Sequence, residues 1–369
     1  MFSKSLKLII ALSALTLLTS ACTISTTSTA NQAPDSSIFA SGDRGDNWRI
    51  MASTPSASGQ AGNISNINVN LMTMDPSDSQ AVYLASYDSG LYYTYNINEG
   101  WNEVKGLPKT TINDIKVDPK AKCILYAAIT NRVYRSNDCT RTWTQVYFDN
   151  NPGVSVNNIA IDHYNSSNIY IGTSRGEIIK SIDSGNSWRT IQRLDQGVSR
   201  LIISPLDSRL IFVATVANKI YSFNSNTKTN VTDSADIEAN FLVENWTDLN
   251  DVLKNYNLGA SFKDIVVNVK DGSMFIATDK LILRSVDNGI TWENLKLIQP
   301  EADAVINAIA VNPLNSSEIY YVTNTTFFRS NDGGVSWTTK KLPTLRAGRE
   351  LLIDFKTPNV IYLGTKKLK

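Results

Sequence analysis

Four stretches of eight residues decide the fold: SGDRGDNW at 41–48, SIDSGNSW at 181–188, SVDNGITW at 285–292 and SNDGGVSW at 330–337. All four have the form S-x-D-x-G-x-x-W. In a tight turn, Ser and Asp side chains accept hydrogen bonds from backbone N–H groups, Gly permits positive φ, and Trp supplies a large plate that packs between neighbouring sheets. The pattern therefore indicates a structural turn between strands rather than a catalytic or metal-binding motif.

The tryptophans show that this turn recurs along the chain. The seven tryptophans are separated by 53, 42, 45, 58, 46 and 45 residues. The stretch ending at Trp143 lacks only the glycine, the stretch ending at Trp101 is shortened, and segment 224–245 replaces the turn before Trp246. The motif residues are Ser41, Asp43, Gly45, Trp48, Ser136, Asp138, Trp143, Ser181, Asp183, Gly185, Trp188, Ser285, Asp287, Gly289, Trp292, Ser330, Asp332, Gly334 and Trp337. A period of about 40–50 residues indicates a repeat architecture.

Each repeat contains the same order of short strands. An alternating strand that ends in Asp or Asn, such as VNNIAIDH at 156–163, is followed by a second such as NIYIGT at 168–173 and a third such as EIIKS at 177–181. A fourth strand begins at the Trp, as in WRTI at 188–191. Four short strands in a repeat of about 45 residues predict one blade of a β-propeller.

The two ends of the chain complete each other. The last repeat contains only LLIDF at 351–355 and VIYLGT at 360–365, whereas the first begins with SIFAS at 37–41, a turn and WRIMA at 48–52. Joined, these halves make one blade and leave no open sheet edge. The sequence therefore predicts an all-β fold, a seven-bladed β-propeller over residues 37–369 with a composite closing blade. Six blades with a free N-terminal hairpin are the alternative.

The N-terminal residues have the features of an export signal. Lys4 and Lys7 precede an apolar run of 11 residues, which is too short to span a bilayer but has the length of a signal-peptide core. The run ends in Thr19-Ser20-Ala21-Cys22, which resembles the lipobox of bacterial lipoproteins, with Thr19 where the family usually has an aliphatic residue.

The lipobox resemblance implies a processed and anchored protein. It implies a signal peptide at 1–21, a lipid on Cys22 and a lipid-anchored, extracytoplasmic location in the bacterial cell envelope. Cleavage after Ala21 without lipid is the alternative. Residues 22–36 are small and polar without apolar periodicity, and they predict a flexible tether.

The other two cysteines lie in one predicted hairpin. Cys123 starts a second strand and Cys139 lies in the turn after the third, and a hairpin centred near Asn131 pairs positions that sum to 262. We therefore predict a disulfide between Cys123 and Cys139, which an exported protein can keep. Two buried free thiols are the alternative.

The composition excludes several classes of function. Lys plus Arg number 35 and Asp plus Glu number 34, so no basic excess favours a nucleic-acid partner. The single histidine, His163, rules out multi-histidine metal sites, and it stands where other repeats have proline, which predicts a turn residue on the surface. We expect neither a cofactor nor a metal site.

Two further features stay open at the level of sequence. The polar insertion at 224–245 is either a tolerated, disordered segment or a binding loop. Arg135, Lys180, Arg284 and Arg329 each precede a motif serine, and they either form a partial basic ring or pack beside the blade.

The S-x-D-x-G-x-x-W motif resembles the Asp-box, or BNR repeat, of sortilin-like, sialidase-like and related β-propellers, where the box lies on the rim away from the ligand face. At the level of the repeat, residues 37–369 also resemble photosystem II stability or assembly factor-like propellers, which act as assembly platforms. These resemblances imply a monomeric, non-catalytic scaffold that binds protein or glycan on the propeller face. The lipid anchor would hold it at a membrane.

A glycoside hydrolase of sialidase-like or xyloglucanase-like type is the alternative function. Sialidases usually carry an Arg-Ile-Pro segment before the first box, but the nearest string here, Arg49-Ile50-Met51, follows a box and lacks the proline. Xyloglucanase-like enzymes pair two propellers, and this sequence predicts one. The sequence therefore favours binding without hydrolysis and assigns no catalytic residue.

Overall fold

The structure, a computed structural model, describes residues 34–55, 62–224, 246–298 and 305–368. These residues form seven four-stranded sheets and one two-stranded hairpin. The strands are short because each alternating run ends at a turn residue such as Asp75, Asp118 or Asp162. The carboxylates of these residues accept hydrogen bonds from backbone N–H groups two residues further on, for example Ser77 and Lys120.

The chain enters the fold through four short strands: β1 (Ile38–Ser41), β2 (Arg49–Ile50), β3 (Ser53–Thr54) and β4 (Gly62–Asn63). Strands β3 and β4 pair only with each other. The sequence pattern did not predict this hairpin.

Six blades follow in chain order, each an antiparallel sheet of consecutive strands. Blade 1 contains β5 (Val69–Asp75), β6 (Asp78–Ser86), β7 (Leu91–Thr94) and β8 (Asn102–Glu103). Blade 2 contains β9 (Asp114–Asp118), β10 (Ala121–Ile129), β11 (Arg132–Ser136) and β12 (Thr144–Phe148). Blade 3 contains β13 (Val156–Ile161), β14 (Ile169–Thr173), β15 (Glu177–Ser181) and β16 (Arg189–Arg193).

The second half of the chain repeats this order. Blade 4 contains β17 (Val198–Ile203), β18 (Leu210–Thr215), β19 (Ile220–Asn224) and β20 (Trp246–Asp248), after which the short helix α1 (Asn250–Leu253) leads to blade 5. Blade 5 contains β21 (Phe262–Val267), β22 (Met274–Thr278), β23 (Ile282–Ser285) and β24 (Glu293–Asn294). Blade 6 contains β25 (Ala308–Val311), β26 (Ile319–Val322), β27 (Thr326–Ser330) and β28 (Thr338–Lys341).

Blade 7 closes the ring from both ends of the chain. Its strand order is β2-β1-β30-β29, where β29 is Ala347–Ile353 and β30 is Ile361–Lys366. Phe39 pairs with Leu363, and the N–H of Thr365 donates to the carbonyl of Ser37. The prediction of a seven-bladed propeller with a composite closing blade is confirmed, and the six-bladed alternative is wrong.

The core lies between the blades. The second strand of each blade is covered on both faces, so it reads as a nearly continuous apolar run, as in Ile169–Thr173. Gly172 shows how closely the blades approach, because a Cβ atom there would lie 2.5 Å from Val198 of blade 4. Gly364 of blade 7 meets Val69 of blade 1 in the same way, at 2.6 Å.

The first strands of the blades, β5, β9, β13, β17, β21, β25 and β29, contact one another in sequence around the ring and are here called the inner strands. All seven inner strands run in the same direction along the channel. One end of the propeller, the mouth end, therefore has the starts of the inner strands, and the opposite end has the turns that follow them. No helix in the described ranges has the length and hydropathy needed to cross a membrane.

Candidate functional site

Five of the seven inner strands contain a register irregularity near the mouth end. In blade 3, Val156 pairs with Thr173 and Asn158 pairs with Gly172, so Asn157 between them has no partner in the ladder. A bulge of this kind bends the strand and re-aims the extra side chain. The bulge residues are Asn70, Asn157, Ser199, Lys263 and Arg349, and Asn113 and Asn307 stand just before β9 and β25.

These residues place one polar side chain from each blade at the mouth of the central channel, where all seven line the same cavity. Four asparagines also tie each blade to the next, because their Nδ2 groups donate to main-chain carbonyls at 2.8–2.9 Å: Asn70 to Ile112, Asn113 to Val156, Asn157 to Val198 and Asn307 to Gly348. These four asparagines therefore hold the inner strands of blades 1 to 4, and those of blades 6 and 7, in register.

Arg349 replaces the asparagine in blade 7. Its Nη2 donates to Oδ1 of Asn70 at 3.1 Å, and its Nε donates to the hydroxyl of Tyr87 at 2.8 Å. The guanidinium also lies over the Tyr87 ring, 5.6 Å from the ring centroid. These neutral partners fix the position of the guanidinium but do not neutralise its charge.

The mouth cavity has a volume of about 300 Å³, and its charged lining residues are all cationic. Its cationic side chains are Arg200, Lys263, Arg349 and Lys366, and no described carboxylate lines it. Burial lowers the pKa of Lys263, and the positive charges of Arg349 and Lys366 lower it further, although Asp279 acts in the opposite direction. The mouth is therefore a site of positive potential that an anion would relieve.

A second cavity, of about 180 Å³, continues the channel below the mouth. Arg200 and Asp264 form an ion pair there, with Nε 2.8 Å from Oδ1, and this charge raises the pKa of the arginine. Asp114 pairs with Lys116 at 2.8 Å and also accepts the N–H of Ile159 at 2.8 Å. Both aspartates are therefore held by cations.

Glu350, a half-buried lining residue of the same cavity, forms no ion pair with a described residue. Burial raises its pKa to about 7. Arg200, Arg349 and Lys116 oppose the shift, whereas the charge of Asp264 adds to it. The glutamate therefore changes its charge near neutral pH, directly beneath the mouth.

The opposite end of the channel has a different character. A cavity of about 470 Å³ lies there between proline and aliphatic side chains, among them Pro76, Pro119, Pro205 and Ile203. His163 lies at its edge, exposed in the turn after β13. The two ends of the channel thus differ in polarity.

The predicted turn motifs form loops between the third and fourth strands at the opposite end, and we call them box loops. In blade 3, Oγ of Ser181 accepts the N–H of Gly185 at 2.8 Å, and Oδ1 of Asp183 accepts the N–H of Ser187 at 2.8 Å. The serine hydroxyl donates to Asp183 at 2.8 Å. The same bonds occur in the box loops of Ser41, Ser136, Ser285 and Ser330.

The box aspartates are occupied by these bonds. Hydrogen bonds from the side chain and backbone of Ser187 lower the pKa of Asp183 to about 2, and equivalent bonds do the same for Asp43, Asp138 and Asp332. The pKa of Asp287 is also lowered, chiefly by the Thr291 hydroxyl. These carboxylates lie on the rim, far along the strands from the mouth cavity.

The motif tryptophans lie between neighbouring blades. Nε1 of Trp188 in blade 3 donates to the carbonyl of Val146 in blade 2 at 2.8 Å. Nε1 of Trp337 donates to the carbonyl of Lys296 in the preceding blade at 3.0 Å. Nε1 of the fully buried Trp101 donates to the carbonyl of Met51 at 2.6 Å.

The four basic residues that precede the motif serines pack on their blades and do not form a separate ring. Arg135, Lys180 and Arg284 lie over the rings of Tyr126, Tyr170 and Phe275. Arg135 also donates to the carbonyl of Ser184 in the next blade, and Arg329 donates to that of Arg44. These contacts tie blade 2 to the box loop of blade 3, and blade 6 to the box loop of blade 7.

Cys123 and Cys139 are adjacent: their Cα atoms are 4.1 Å apart and their sulfur atoms are in bonding contact. The predicted pairing sum of 262 is wrong by one residue, because Ile129 pairs with Arg132 and Leu125 with Ser136. The two-residue turn at Thr130–Asn131 sets this register, and the cysteines meet because the box loop folds back, with the Cys139 N–H donating to the Cys123 carbonyl at 3.1 Å. Oxidation in the cell stays a prediction.

Other predicted features lie at or beyond the borders of the described residues. Cys22 and residues 225–245 fall outside them. The predicted tether ends at residue 36, but Asp35 already pairs with Arg346 and the Ser36 carbonyl accepts the Thr365 hydroxyl. The contacts of the propeller thus include Asp35 and Ser36, the two residues before the predicted boundary at Ser37. Among the described residues, no cluster of three His, Cys, Asp or Glu side chains could hold a metal ion.

The mouth itself was not predicted from the sequence. Its signal was present, because an asparagine follows a buried Val or Ile at the start of several inner strands, as in IND at 112–114, VNN at 156–158 and INA at 306–308. Alternation alone does not reveal this position, because a bulge changes which side chain leaves the ladder.

No family model matches this chain, and no curated protein does. Solved structures of similar fold do exist. The structure of YCF48 bound to D1 peptide has a TM-score of 0.59 and 14% identity, with 81% of this chain and 93% of that chain covered. The GH74 xyloglucanase from Xanthomonas campestris has a TM-score of 0.63 and 14% identity, with 82% of this chain and 51% of that chain covered.

The GH74 enzyme from Niastella koreensis is similar to the same degree, with a TM-score of 0.60, 18% identity, and coverage of 81% of this chain and 51% of that chain. The chain thus spans about half the length of either GH74 enzyme. At these identities the comparisons show the fold, a β-propeller shared by enzymes and by a peptide-bound protein.

Proposed function

We propose that this protein is an extracytoplasmic, lipid-anchored scaffold whose channel mouth binds a segment of a protein partner without hydrolysing it. The observation that carries the proposal is the lining of the mouth cavity, which contains four cationic side chains and five asparagines but no described carboxylate. Such a cavity offers hydrogen bonds and positive charge but no described carboxylate to act as a general acid or base. It suits recognition of an acidic or anionic group.

The carboxylates of the channel also argue for binding rather than glycoside hydrolysis. Glycosidases use two carboxyl groups, one as acid and one as base or nucleophile. Asp114 and Asp264 are bound by Lys116 and Arg200, which leaves Glu350 without an ion pair among the described carboxylates of the lower cavity. A carboxylate that is held by a cation is a weaker base and nucleophile than a free one, so this arrangement disfavours glycoside hydrolysis.

A protein partner is favoured over a glycan by two observations. The aromatic residues of the mouth offer little open ring surface, because Arg349 covers one face of Tyr87 and Phe262 is buried. Among proteins of similar fold, YCF48 is described as bound to D1 peptide, and this chain covers 93% of its length. We therefore propose a peptide segment of a protein, rather than a glycan, as the ligand of the mouth.

The lipid anchor is part of the same proposal. Residues 1–22 have the pattern of a lipoprotein signal ending at Cys22, and the chain enters the propeller at the mouth end through Asp35. Replacing the cysteine (Cys22→Ser) should release the protein from membranes. An N-terminal peptide that begins elsewhere, or that carries no acyl mass, would contradict the anchor without touching the binding site.

The binding function is tested by isolating the protein from its own cells after chemical cross-linking. The double variant Lys263→Gln/Arg349→Gln should lose the partner that the unaltered protein retains. Lys219→Gln is the matched control, because Lys219 is exposed at the same end outside the mouth cavity. Recovery of the same amount of partner with the unaltered protein and both variants would contradict the proposal. Release of products from sialosides or β-glucan oligosaccharides would also contradict it.

A further inference from the structure

The mouth cavity contains cations that form no ion pair with a described carboxylate. Lys263, Arg349 and Lys366 line it half-buried, and none of them forms an ion pair with a described carboxylate. Arg200 is different, because Asp264 neutralises it from below. Three cations around one small cavity repel each other, and the lowered pKa of Lys263 reports that repulsion together with burial. A bound anion would remove this cost.

The cavity also contains a buried acceptor without a donor. Asn158 is 3% exposed, and its Oδ1 has no hydrogen-bond partner among the described residues. In this rotamer Oδ1 itself is closed to solvent, but the side chain lines both the mouth cavity and the lower cavity, so rotation of its amide group brings Oδ1 toward a ligand there. Leaving a buried polar atom unpaired is unfavourable, so a ligand that donates a hydrogen bond at this place gains from it.

These two observations together restrict the ligand. A simple carboxylate or sulfate satisfies the cations but brings no N–H group to Asn158. The last residue of a peptide chain carries both groups, because its amide N–H is attached to the carbon that bears the free carboxylate. The rest of an extended peptide could leave through the open side of the mouth.

We propose that the mouth cavity binds the free carboxylate at the C-terminal end of an extended peptide. Lys263, Arg349 and Lys366 hold the carboxylate, and Oδ1 of Asn158 accepts the last amide N–H. This inference rests on the proposed function, since it names the part of the partner that the mouth recognises. It also explains why Arg349 is fixed by Tyr87 and Asn70, which leave its Nη1 without a partner among the described residues.

The test uses the mature chain in detergent and measures binding by calorimetry and by NMR shifts of mouth residues. The probes are N-acetyl-trialanine as the free acid, the same peptide as its C-terminal amide, and acetate, sulfate and glucuronate. The free acid should bind at least roughly tenfold more tightly than the amide, because the amide loses the charge-assisted bonds. It should also bind more tightly than acetate, which lacks the N–H.

Variants separate the two parts of the site. Lys263→Gln/Arg349→Gln should abolish binding of the free acid, and Lys219→Gln should leave it unchanged. Asn158→Leu should lower the affinity for the free-acid tripeptide to about that for acetate, and it should leave the affinity for acetate unchanged.

Three results would overturn the inference: equal binding of acid and amide, binding of sulfate or glucuronate as tight as that of the tripeptide acid, or no binding of the acid at millimolar concentration. None of these results would remove the partner recovered from cells, so they would leave the proposed function standing. Equal recovery of the partner with the unaltered protein and with Lys263→Gln/Arg349→Gln, in the cross-linking experiment of the proposed function, would contradict both the proposed function and this inference.

Discussion

Thr140 occupies the place in the blade 2 box loop that glycine occupies in the other full motifs. Its φ is 72°, and the equivalent Gly185 has a φ of 91°. Glycine adopts this left-handed region without cost, whereas a β-branched residue is strained there. Thr140 nevertheless donates its N–H to Ser136 at 3.0 Å, so the loop has the same hydrogen bonds as its relatives.

The strain at Thr140 gives the first prediction. Thr140→Gly should stabilise the protein by about 1 kcal/mol, because relief of the strained backbone exceeds the added entropy of the unfolded chain. The reverse change, Gly185→Thr, should destabilise it by a similar or larger amount. Urea unfolding of both variants measures the difference, and a Thr140→Gly variant that is less stable than the unaltered protein would contradict the account.

A second prediction concerns Glu350. Its folded-state pKa is raised from 4.5 to about 7, so its contribution to stability is fully present below 4.5 and is lost as the pH rises through 7. Above that pH, the buried charge costs on the order of 3 kcal/mol. Glu350→Gln removes this charge and should raise the melting temperature at alkaline pH but not at pH 4.

The control for Glu350 is a surface glutamate with the opposite shift. Hydrogen bonds from Lys109 lower the pKa of Glu103, so its ionised form stabilises the protein above the unfolded pKa. Glu103→Gln should therefore lower the melting temperature slightly at neutral pH. If Glu350→Gln lowers it as well, Arg200 and Arg349 stabilise the ionised Glu350 more than its burial destabilises it.

At the scale of elements, strand β10 and the box loop of blade 2 meet at Cys123 and Cys139, the pair that we predict to be bridged. A bridge across a separation of 16 residues removes entropy mainly from the unfolded chain. The chain-entropy model assigns about 3 kcal/mol to a loop of this size. A bridge here would add a covalent link to the box loop in which Thr140 replaces the glycine.

The third prediction follows from this link. Protein isolated from the exported fraction should contain no free thiol at either position, and reduction should lower the midpoint of unfolding by an amount that corresponds to a few kcal/mol. Cys123→Ser/Cys139→Ser should be insensitive to the reductant and as stable as the reduced protein. Titration of two reactive thiols in unreduced protein would refute the bridge.

The sequence predicts elements well wherever one local rule acts alone. Third strands such as Arg132–Ser136 and Thr326–Ser330 begin and end at the predicted residues, because a box serine ends each of them. Inner strands are less regular: LLIDF predicted a strand from 351, whereas β29 begins at Ala347 and contains the bulge at Arg349. The mouth was missed for the same reason, since bulges depend on packing between blades and not on alternation.

At the scale of the whole molecule, the ring closes through hydrogen bonds that join residues far apart in sequence. Strand β1 pairs with β30 from Ile38 to Ser41, and the buried Phe39 packs in blade 7. Next to this strand, the buried Arg346 binds Asp35, the carbonyl of Ser65 and the hydroxyl of Thr365. The N-terminal segment therefore fastens blade 7 to blade 1.

The fourth prediction removes that closure. A chain that starts at Ser53 lacks β1 and β2, exposes the edge of β30 and loses Phe39 from the core. Loss of a large aromatic typically costs about 3–5 kcal/mol, which is comparable with the net stability of many domains. The truncated chain should aggregate or melt at a much lower temperature, as measured by calorimetry and light scattering.

Deletion of residues 23–33 is the control for this truncation, because it leaves the ion pair of Asp35 with Arg346 intact. That deletion should change the melting temperature little. A chain starting at Ser53 that stays monomeric with an unchanged melting temperature would show that β1 and β2 are dispensable for closure.

The central claim is that the mouth end of the channel, and not the apolar opposite end, binds the partner. It is tested most directly by photo-cross-linking in intact cells, with benzoylphenylalanine placed either at Ser199 in the mouth or at Tyr164, which is 77% exposed at the opposite end. We predict one protein adduct from position 199, lost when Lys263→Gln/Arg349→Gln is added, and none from position 164. The same adduct from both positions, or an adduct from position 164 alone, would contradict the account.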